Sequence, residues 1–471
     1  MIRFGTDGLR GVAGVELTAE IALSLGFHAA RALAKCANNA SSLSFLVGKD
    51  PRLSSDMLEA ALSAGITMSG ASVLRCGVVP TPAVPWLLAG NGIAGGFMIT
   101  ASHNPIQDNG IKIFGPDGRK LPESAEREIE KGIASGLRDS STAPYFGRSI
   151  EAKNLADKYT RFVRSALPNA KRAASAGIFG RPLKFVFDCA YGATGKVCKS
   201  VFGGFPGDHV FLNAEFDGTR INQNCGSMNL GPLSKAVRKH SADIGFAFDG
   251  DGDRVLVVDS SGKEINGDRL IGALAVHERK YRNSGAVVVT VMSNLGLEEF
   301  LANHNIEMHR VPVGDKNVMD QLVERGLLLG GEQSGHLILL DKSCSGDGLL
   351  AAASIVKLVY STGKTISELT SDIPVYPQYL ENLRVLTKDG WDADKKVSAS
   401  LSALSADYSG KVRLLVRPSG TEPLIRVMTE SKSAALAKKV LKAACAAIME
   451  WDAQNRARAC APRAISAGGS K

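Results

Sequence analysis

Aromatic residues are scarce in this chain, 6% over 471 positions, and leave few platforms on which nucleic-acid bases stack. No apolar run approaches the roughly 18 residues that cross a bilayer. The opening Met1-Ile2-Arg3-Phe4-Gly5-Thr6-Asp7-Gly8 lacks the apolar centre of a secretion signal, so a cytoplasmic protein with no membrane partner is expected. The eight cysteines include no Cys-x-x-Cys pair, which argues against zinc ribbons and disulfide scaffolds and for reduced thiols. A nucleotide-binding Gly-x-x-x-x-Gly-Lys-Ser/Thr element is missing too. Gly192-Ala193-Thr194-Gly195-Lys196-Val197 is too short and ends without the hydroxyl, which disfavours a nucleotide-dependent kinase.

What is present is an ordinary globular balance, 44% hydrophobic and 22% charged, in a chain too long for one core. The net charge of +9 is spread along the chain, and with so few aromatics it suits a phosphorylated small molecule better than nucleic acid. Strands and helices alternate from the start, with a helix capped by Thr18 and stepping through Ile21, Leu25, Ala29 and Leu33. The pattern predicts three similar α/β domains, residues 1–150, 151–254 and 255–373. Pro374 and Pro377 mark a linker to an α+β domain at 374–455. Arg456, Arg458, Arg463 and Lys471, set among Ala, Ser and Gly, give 456–471 the composition of a disordered tail. The repeated α/β units suggest duplication, although no residue-level repeat is visible.

Four loops carry the chemistry. The apolar run Gly96-Phe97-Met98-Ile99 leads into Thr100-Ala101-Ser102-His103-Asn104-Pro105, which reads as a buried strand ending in a turn that displays Ser102. Neighbours in extended chain point to opposite faces, so Ser102 and His103 are not expected to pair. Asp249-Gly250-Asp251-Gly252-Asp253-Arg254 places three carboxylates on one face between two apolar strands. Carboxylates about 4 Å apart repel by about 4 kcal/mol at an effective dielectric of roughly 20, so the trio implies a cation. An EF-hand would need Gly where Arg254 stands and Glu where Ser260 stands, and all-oxygen ligands suit magnesium. Arg417-Pro418-Ser419-Gly420-Thr421-Glu422 joins two strands with small residues, hydroxyls and positive charge, a phosphate cradle. Gly330-Gly331-Glu332-Gln333-Ser334-Gly335-His336 offers partners for sugar hydroxyls. Together these point to phosphoryl transfer on a phosphosugar through a phosphoserine. A non-catalytic phosphosugar sensor would need no such donor.

Seven segments, Phe4 to Gly11, Thr100 to Pro105, Asn109 to Gly115, Phe248 to Arg254, Val289 to Glu298, Gly330 to His336 and Arg417 to Arg426, resemble the α-D-phosphohexomutase family in order and spacing. The resemblance implies four domains around a central cleft, each giving one loop. By it, Ser102 is the phosphoserine, and one Mg²⁺ is held by Ser102, Asp249, Asp251 and Asp253. Arg10, His103, Lys112 and Arg254 are the implied catalytic side chains. Glu332, Ser334 and His336 bind the sugar, while Arg417, Ser419, Gly420, Thr421 and Arg426 grip the phosphate not being transferred. Gln333 and the run Val291 to Gly296 resemble the glucosamine branch. The implied reaction interconverts glucosamine 6-phosphate and glucosamine 1-phosphate through the 1,6-bisphosphate, with glucose or mannose phosphates as the alternative and a homodimer among the allowed assemblies. Tyr191, Arg220 and the pair Cys344-Ser345 depart from the family's usual Asn, Asn and Thr-Thr.

Overall fold

The computed structural model describes residues 4–5, 8–35, 43–137, 145–174, 180–419 and 423–460. These form two compact units, one of Met1–Ser293 with Leu297–Ile373 and one of Asn294–Gly296 with Pro374–Lys471.

The first unit holds three sheets. A six-stranded sheet runs in the order Leu9–Val12, Asp108–Phe114, Gly95–Ile99, Ser44–Lys49, Ser72–Val78, Ser149–Glu151. A five-stranded sheet runs Glu264–Ile265, Val255–Asp259, Ile244–Phe248, Lys184–Asp188, Asp208–Leu212, and a four-stranded one Glu307–Val311, Ala286–Thr290, Leu329–Gly331, Leu337–Leu339. Helices pack on them because their apolar positions recur at helical spacing. The helix Ala19–Ala34 begins where the Thr18 hydroxyl accepts the Ile21 N–H, and it buries Ala22, Leu25, Ala29 and Leu33. It lies so close to the helix Ser55–Met68 that a Cβ on Gly65 would stand 2.0 Å from the Leu23 carbonyl oxygen. One continuous apolar core joins the sheets, from Leu46 and Met98 through Phe187 and Phe246 to Val289 and Leu337.

The three sheets share a plan. Each has parallel strands and an antiparallel pair that encloses a loop: Gly95–Ile99 with Asp108–Phe114, Ile244–Phe248 with Val255–Asp259, and Leu329–Gly331 with Leu337–Leu339. The connection inside each pair is a loop singled out from the sequence, carrying Ser102, the aspartates, and Glu332 to His336 respectively. Val255–Asp259 therefore belongs to the second sheet, not to a third domain beginning at residue 255. Val255 pairs with Phe248 and Asp259 with Ile244, and a six-residue loop between two apolar strands closes a hairpin sooner than it separates two domains.

In the second unit, Gln378–Arg384, Leu424–Glu430 and Arg413–Pro418 form an antiparallel sheet in that order. Ile425 and Val427 on the sheet share a core with Ile448 and Trp451 of the helix Ala434–Cys460, the expected α+β arrangement. That helix continues five residues past the expected end of the domain at 455, because its Ala- and Arg-rich sequence keeps helix propensity. Residues 461–471 lie outside the described residues.

Candidate active site

Ser102 leaves its strand in the left-handed region, φ 51°, a costly conformation for a residue with a Cβ. Arg52 over-determines it. This arginine is 1% exposed, and all five of its side-chain N–H donors find acceptors: Nε on Asp50 Oδ2 (3.0 Å), Nη1 on the carbonyls of Pro105 (2.5 Å) and Asp108 (3.0 Å), Nη2 on those of Ser102 (3.0 Å) and Asn104 (2.8 Å). The Thr100 hydroxyl donates to Asp50 Oδ2 at 2.7 Å and accepts the Ser102 N–H at 2.9 Å. Asn222 Nδ2, from the neighbouring domain, donates to the Ser102 carbonyl at 2.8 Å.

The consequences correct two expectations. Ser102 is 2% exposed rather than displayed, its Oγ donating to Asp249 Oδ2 at 2.7 Å. It also meets His103, whose Nδ1 lies 3.3 Å from Oγ, because the left-handed turn cancels the alternation of an extended chain. Burial, then the charges of Arg254 and Arg10, holds the His103 imidazole down to about 4, so it is neutral near pH 7. Arg10 reaches this region from the edge strand Leu9–Val12, opposite Gly110.

Asp249, Asp251 and Asp253 are buried, and each turns a carboxylate oxygen to within 4.8 Å of the others. Lys112, on the strand Asp108–Phe114 and 3% exposed, donates to Asp251 Oδ2 (3.0 Å) and Asp253 Oδ2 (3.1 Å). Thr81 Oγ1 donates to Asp251 Oδ2 at 2.6 Å. Among the described residues, Asp251 Oδ1 and Asp253 Oδ1 are buried without a hydrogen-bond partner. Burial, then Asp253 and Asp251, pushes Asp249 well above the carboxylate range. Burial also pushes Asp253 up, but Lys112, His336 and Arg254 outweigh it and hold that carboxyl well below the range. An all-oxygen set with unsatisfied buried oxygens is compatible with a metal ion held among the three carboxylates.

The loop is clasped from both sides. Ala193 N–H donates to the Gly250 carbonyl at 2.8 Å, and a Cβ on Gly192 would stand 2.2 Å from that oxygen. Gly348 N–H donates to the Gly252 carbonyl at 3.1 Å. The Gly-rich Tyr191 to Gly195 thus buttresses the aspartate loop. Arg254 donates its backbone N–H to Asp249 Oδ1 at 3.2 Å.

His336, 5% exposed, places Nδ1 3.7 Å from Asp253 Oδ1, and its ring fills the space that a Cβ on Gly346 would need. Glu332 accepts from the Gly314 N–H (3.3 Å) and from Ser334 Oγ (3.4 Å). Beside His336 opens a cleft of about 500 Å³ whose lining includes Lys120, Asp315, Lys316 and Ser345. Ser102, His103, Lys112, the three aspartates, Arg254 and His336 thus converge, with Arg10 and Glu332 in their field.

In the second unit, Arg417 and Arg426 are directly opposite each other on paired strands. Like charges so placed repel unless an anion joins them. Burial, then Arg426, lowers the proton affinity of Arg417, and the Nε atoms of both are buried without a hydrogen-bond partner among the described residues. Ser419 is 2% exposed, and its carbonyl accepts from Lys388 Nζ at 2.8 Å. Gly420 and Thr421 lie outside the described residues.

Asp50, Arg52, Thr81, Asn222 and Lys388 escaped the sequence reading. The one available signal was Asp50-Pro51-Arg52, two opposite charges flanking a proline just after the apolar strand Ser44–Lys49.

Four family models match in order: phosphoglucomutase/phosphomannomutase alpha/beta/alpha domain I at 1–139, domain II at 157–262, domain III at 266–376, and the C-terminal domain at 380–447. A phosphoglucosamine mutase of Carboxydothermus hydrogenoformans is 41% identical over 93% of this chain and 97% of its own length. One from Saccharopolyspora erythraea is 41% identical over 93% and 96%. Among solved structures, a phosphoglucomutase/phosphomannomutase family protein of Burkholderia thailandensis superposes with TM-score 0.76 at 24% identity, covering 97% of this chain and 98% of that one.

Proposed function

The chain belongs to the phosphoglucomutase/phosphomannomutase family, and from that membership we propose that it is a phosphoglucosamine mutase, interconverting glucosamine 6-phosphate and glucosamine 1-phosphate through a phosphoserine and a 1,6-bisphosphate. The observation that carries the reaction class is Ser102 Oγ, held 2.7 Å from Asp249 at the edge of three clustered carboxylates. Choice of the amino sugar rests on the 41% identical relatives.

Ser102 passes its phosphoryl group to one hydroxyl of the substrate and recovers one from the other end of the bisphosphate. His103, neutral and 3.3 Å from Oγ, accepts the serine proton when the phosphoryl group returns. Lys112 and Arg254 offset charge on the group in transit. Asp249, Asp251 and Asp253 are the residues that would hold Mg²⁺, which when bound supplies positive charge beside the phosphoryl oxygens. Glu332, Ser334 and His336 orient the sugar, and Arg417, Ser419 and Arg426 are the grip for a phosphate group. A cytoplasmic site of action, supplying an amino-sugar phosphate to cell-wall precursor synthesis, goes with this reading.

The test is conversion of glucosamine 6-phosphate beside glucose 6-phosphate and mannose 6-phosphate, with Mg²⁺ and a trace of hexose 1,6-bisphosphate. A large preference in kcat/KM for the amino sugar is expected, and Ser102→Ala should abolish all three activities. Equal or better use of glucose or mannose phosphate would keep the mechanism and overturn the substrate.

A further inference from the structure

We propose that Asp315 recognises the 2-amino group of the substrate and so separates glucosamine phosphates from glucose phosphates, an inference that rests on the reading above. A glucosamine phosphate carries an ammonium where a glucose phosphate carries a hydroxyl. Its receptor should be a carboxylate that lines the sugar cleft, holds a fixed orientation and is not committed to the metal loop.

Asp315 meets each condition. It opens the helix Asp315–Arg325, directly after Gly314, whose N–H donates to Glu332 Oε1 at 3.3 Å. One backbone step therefore ties it to the loop that faces the sugar. It lines the cleft of about 500 Å³ that also reaches His336. Its Oδ1 accepts from Lys120 Nζ at 2.7 Å and from the Lys316 N–H at 2.9 Å, which fixes the carboxylate plane. The side chain is 28% exposed, dry enough for charge to be selective and open enough for a ligand to touch.

Both bonds to Asp315 fall on Oδ1, and Lys316 Nζ donates instead to the Leu121 carbonyl at 3.3 Å. Glu123 and Asp320 line the same cleft and add negative charge. Burial lowers the proton affinity of His336, and Asp253 first and Asp315 next raise it against that, which places the carboxylate within electrostatic reach of the histidine.

The experiment compares kcat/KM for glucosamine 6-phosphate and glucose 6-phosphate in the parent, in Asp315→Asn and in Lys120→Met. Losing a hydrogen bond to a charged group should lower the amino-to-hydroxyl ratio of Asp315→Asn by roughly 10- to 100-fold, mainly through KM. Lys120→Met, which breaks the same ion pair but keeps the carboxylate, should move both substrates together and preserve the ratio. A ratio within about twofold of the parent in Asp315→Asn, or a Lys120→Met ratio that falls just as far, would overturn the assignment and leave Asp315 only a strut. Should Asp315→Asn fail to fold, Asp315→Ser carries the same readout. A parent enzyme that itself prefers glucose 6-phosphate would instead defeat the substrate reading, and the inference with it.

Discussion

At Asp347 the cost of a buried carboxyl is set against its use as a cap. It is 1% exposed, accepts the Leu350 N–H at the head of the helix Gly348–Thr362, and receives the Tyr159 hydroxyl at 3.1 and 3.0 Å. Burial wins over those donors and pushes it up to about 7. Below about pH 4 folded and unfolded chains both hold this proton; between about 4 and 7 only the folded chain does. The group's contribution to stability therefore falls as pH rises through that window, by up to about 4 kcal/mol. Asp347→Asn, which mimics the protonated form, should differ little from the parent in urea midpoint at about pH 3.5 and gain relative to the parent at pH 8. An equal difference at both values would show that Asp347 does not titrate there. At this scale, legibility tracked covalent neighbourhood. Three carboxylates at spacing two announce themselves in a string of letters. Arg52 does not, because four of its partners are carbonyls some fifty residues away. Tyr191 and Arg220, two departures from the family pattern, prove to be partners: the guanidinium carbon lies 4.1 Å from the ring centroid and Nη1 3.1 Å from the hydroxyl. Neither makes sense alone, and only the fold brings them together.

At the scale of elements, the loop after Gly95–Ile99 is a structure imposed from outside. Its conformation is dictated by Arg52, whose planar fork matches several acceptors that a lysine cannot serve from one nitrogen. Arg52→Lys should lower kcat by on the order of 100-fold, since displacement of a reacting group by about 1 Å costs that much, with KM much less affected. Unchanged kcat would show that the loop keeps its shape without the guanidinium. The strands and helices themselves were legible because period-two and period-3.6 patterns survive in the letters, and the predicted helix from Thr18 and the two apolar strands flanking the aspartates stand where expected. The affiliation of Val255–Asp259 was not legible, since an apolar strand carries no mark of which sheet receives it. The left-handed turn at Ser102 was equally hidden, as serine is not a residue whose identity announces positive φ.

On the scale of the whole molecule, the three sheets of the first unit repeat one topology, each setting a candidate functional loop inside an antiparallel strand pair. The order of hydrogen-bonded strands is alike in the three sheets although no residue-level repeat is visible in the letters. Among the described residues no helix is long and apolar enough to cross a membrane. The Arg52 network has one more consequence, for how the chain survives digestion. A protease must draw several residues of its target into extended form, and surface loops are its usual entry. The Ser102 to Asp108 backbone has four carbonyls pinned to one buried guanidinium, although Ile106 on the same loop is 44% exposed. A broad-specificity protease acting on the native chain should therefore spare the bonds between Ala101 and Gln107 and begin to cut them in Arg52→Lys, so that the loop carrying the reactive hydroxyl resists nicking like an interior strand.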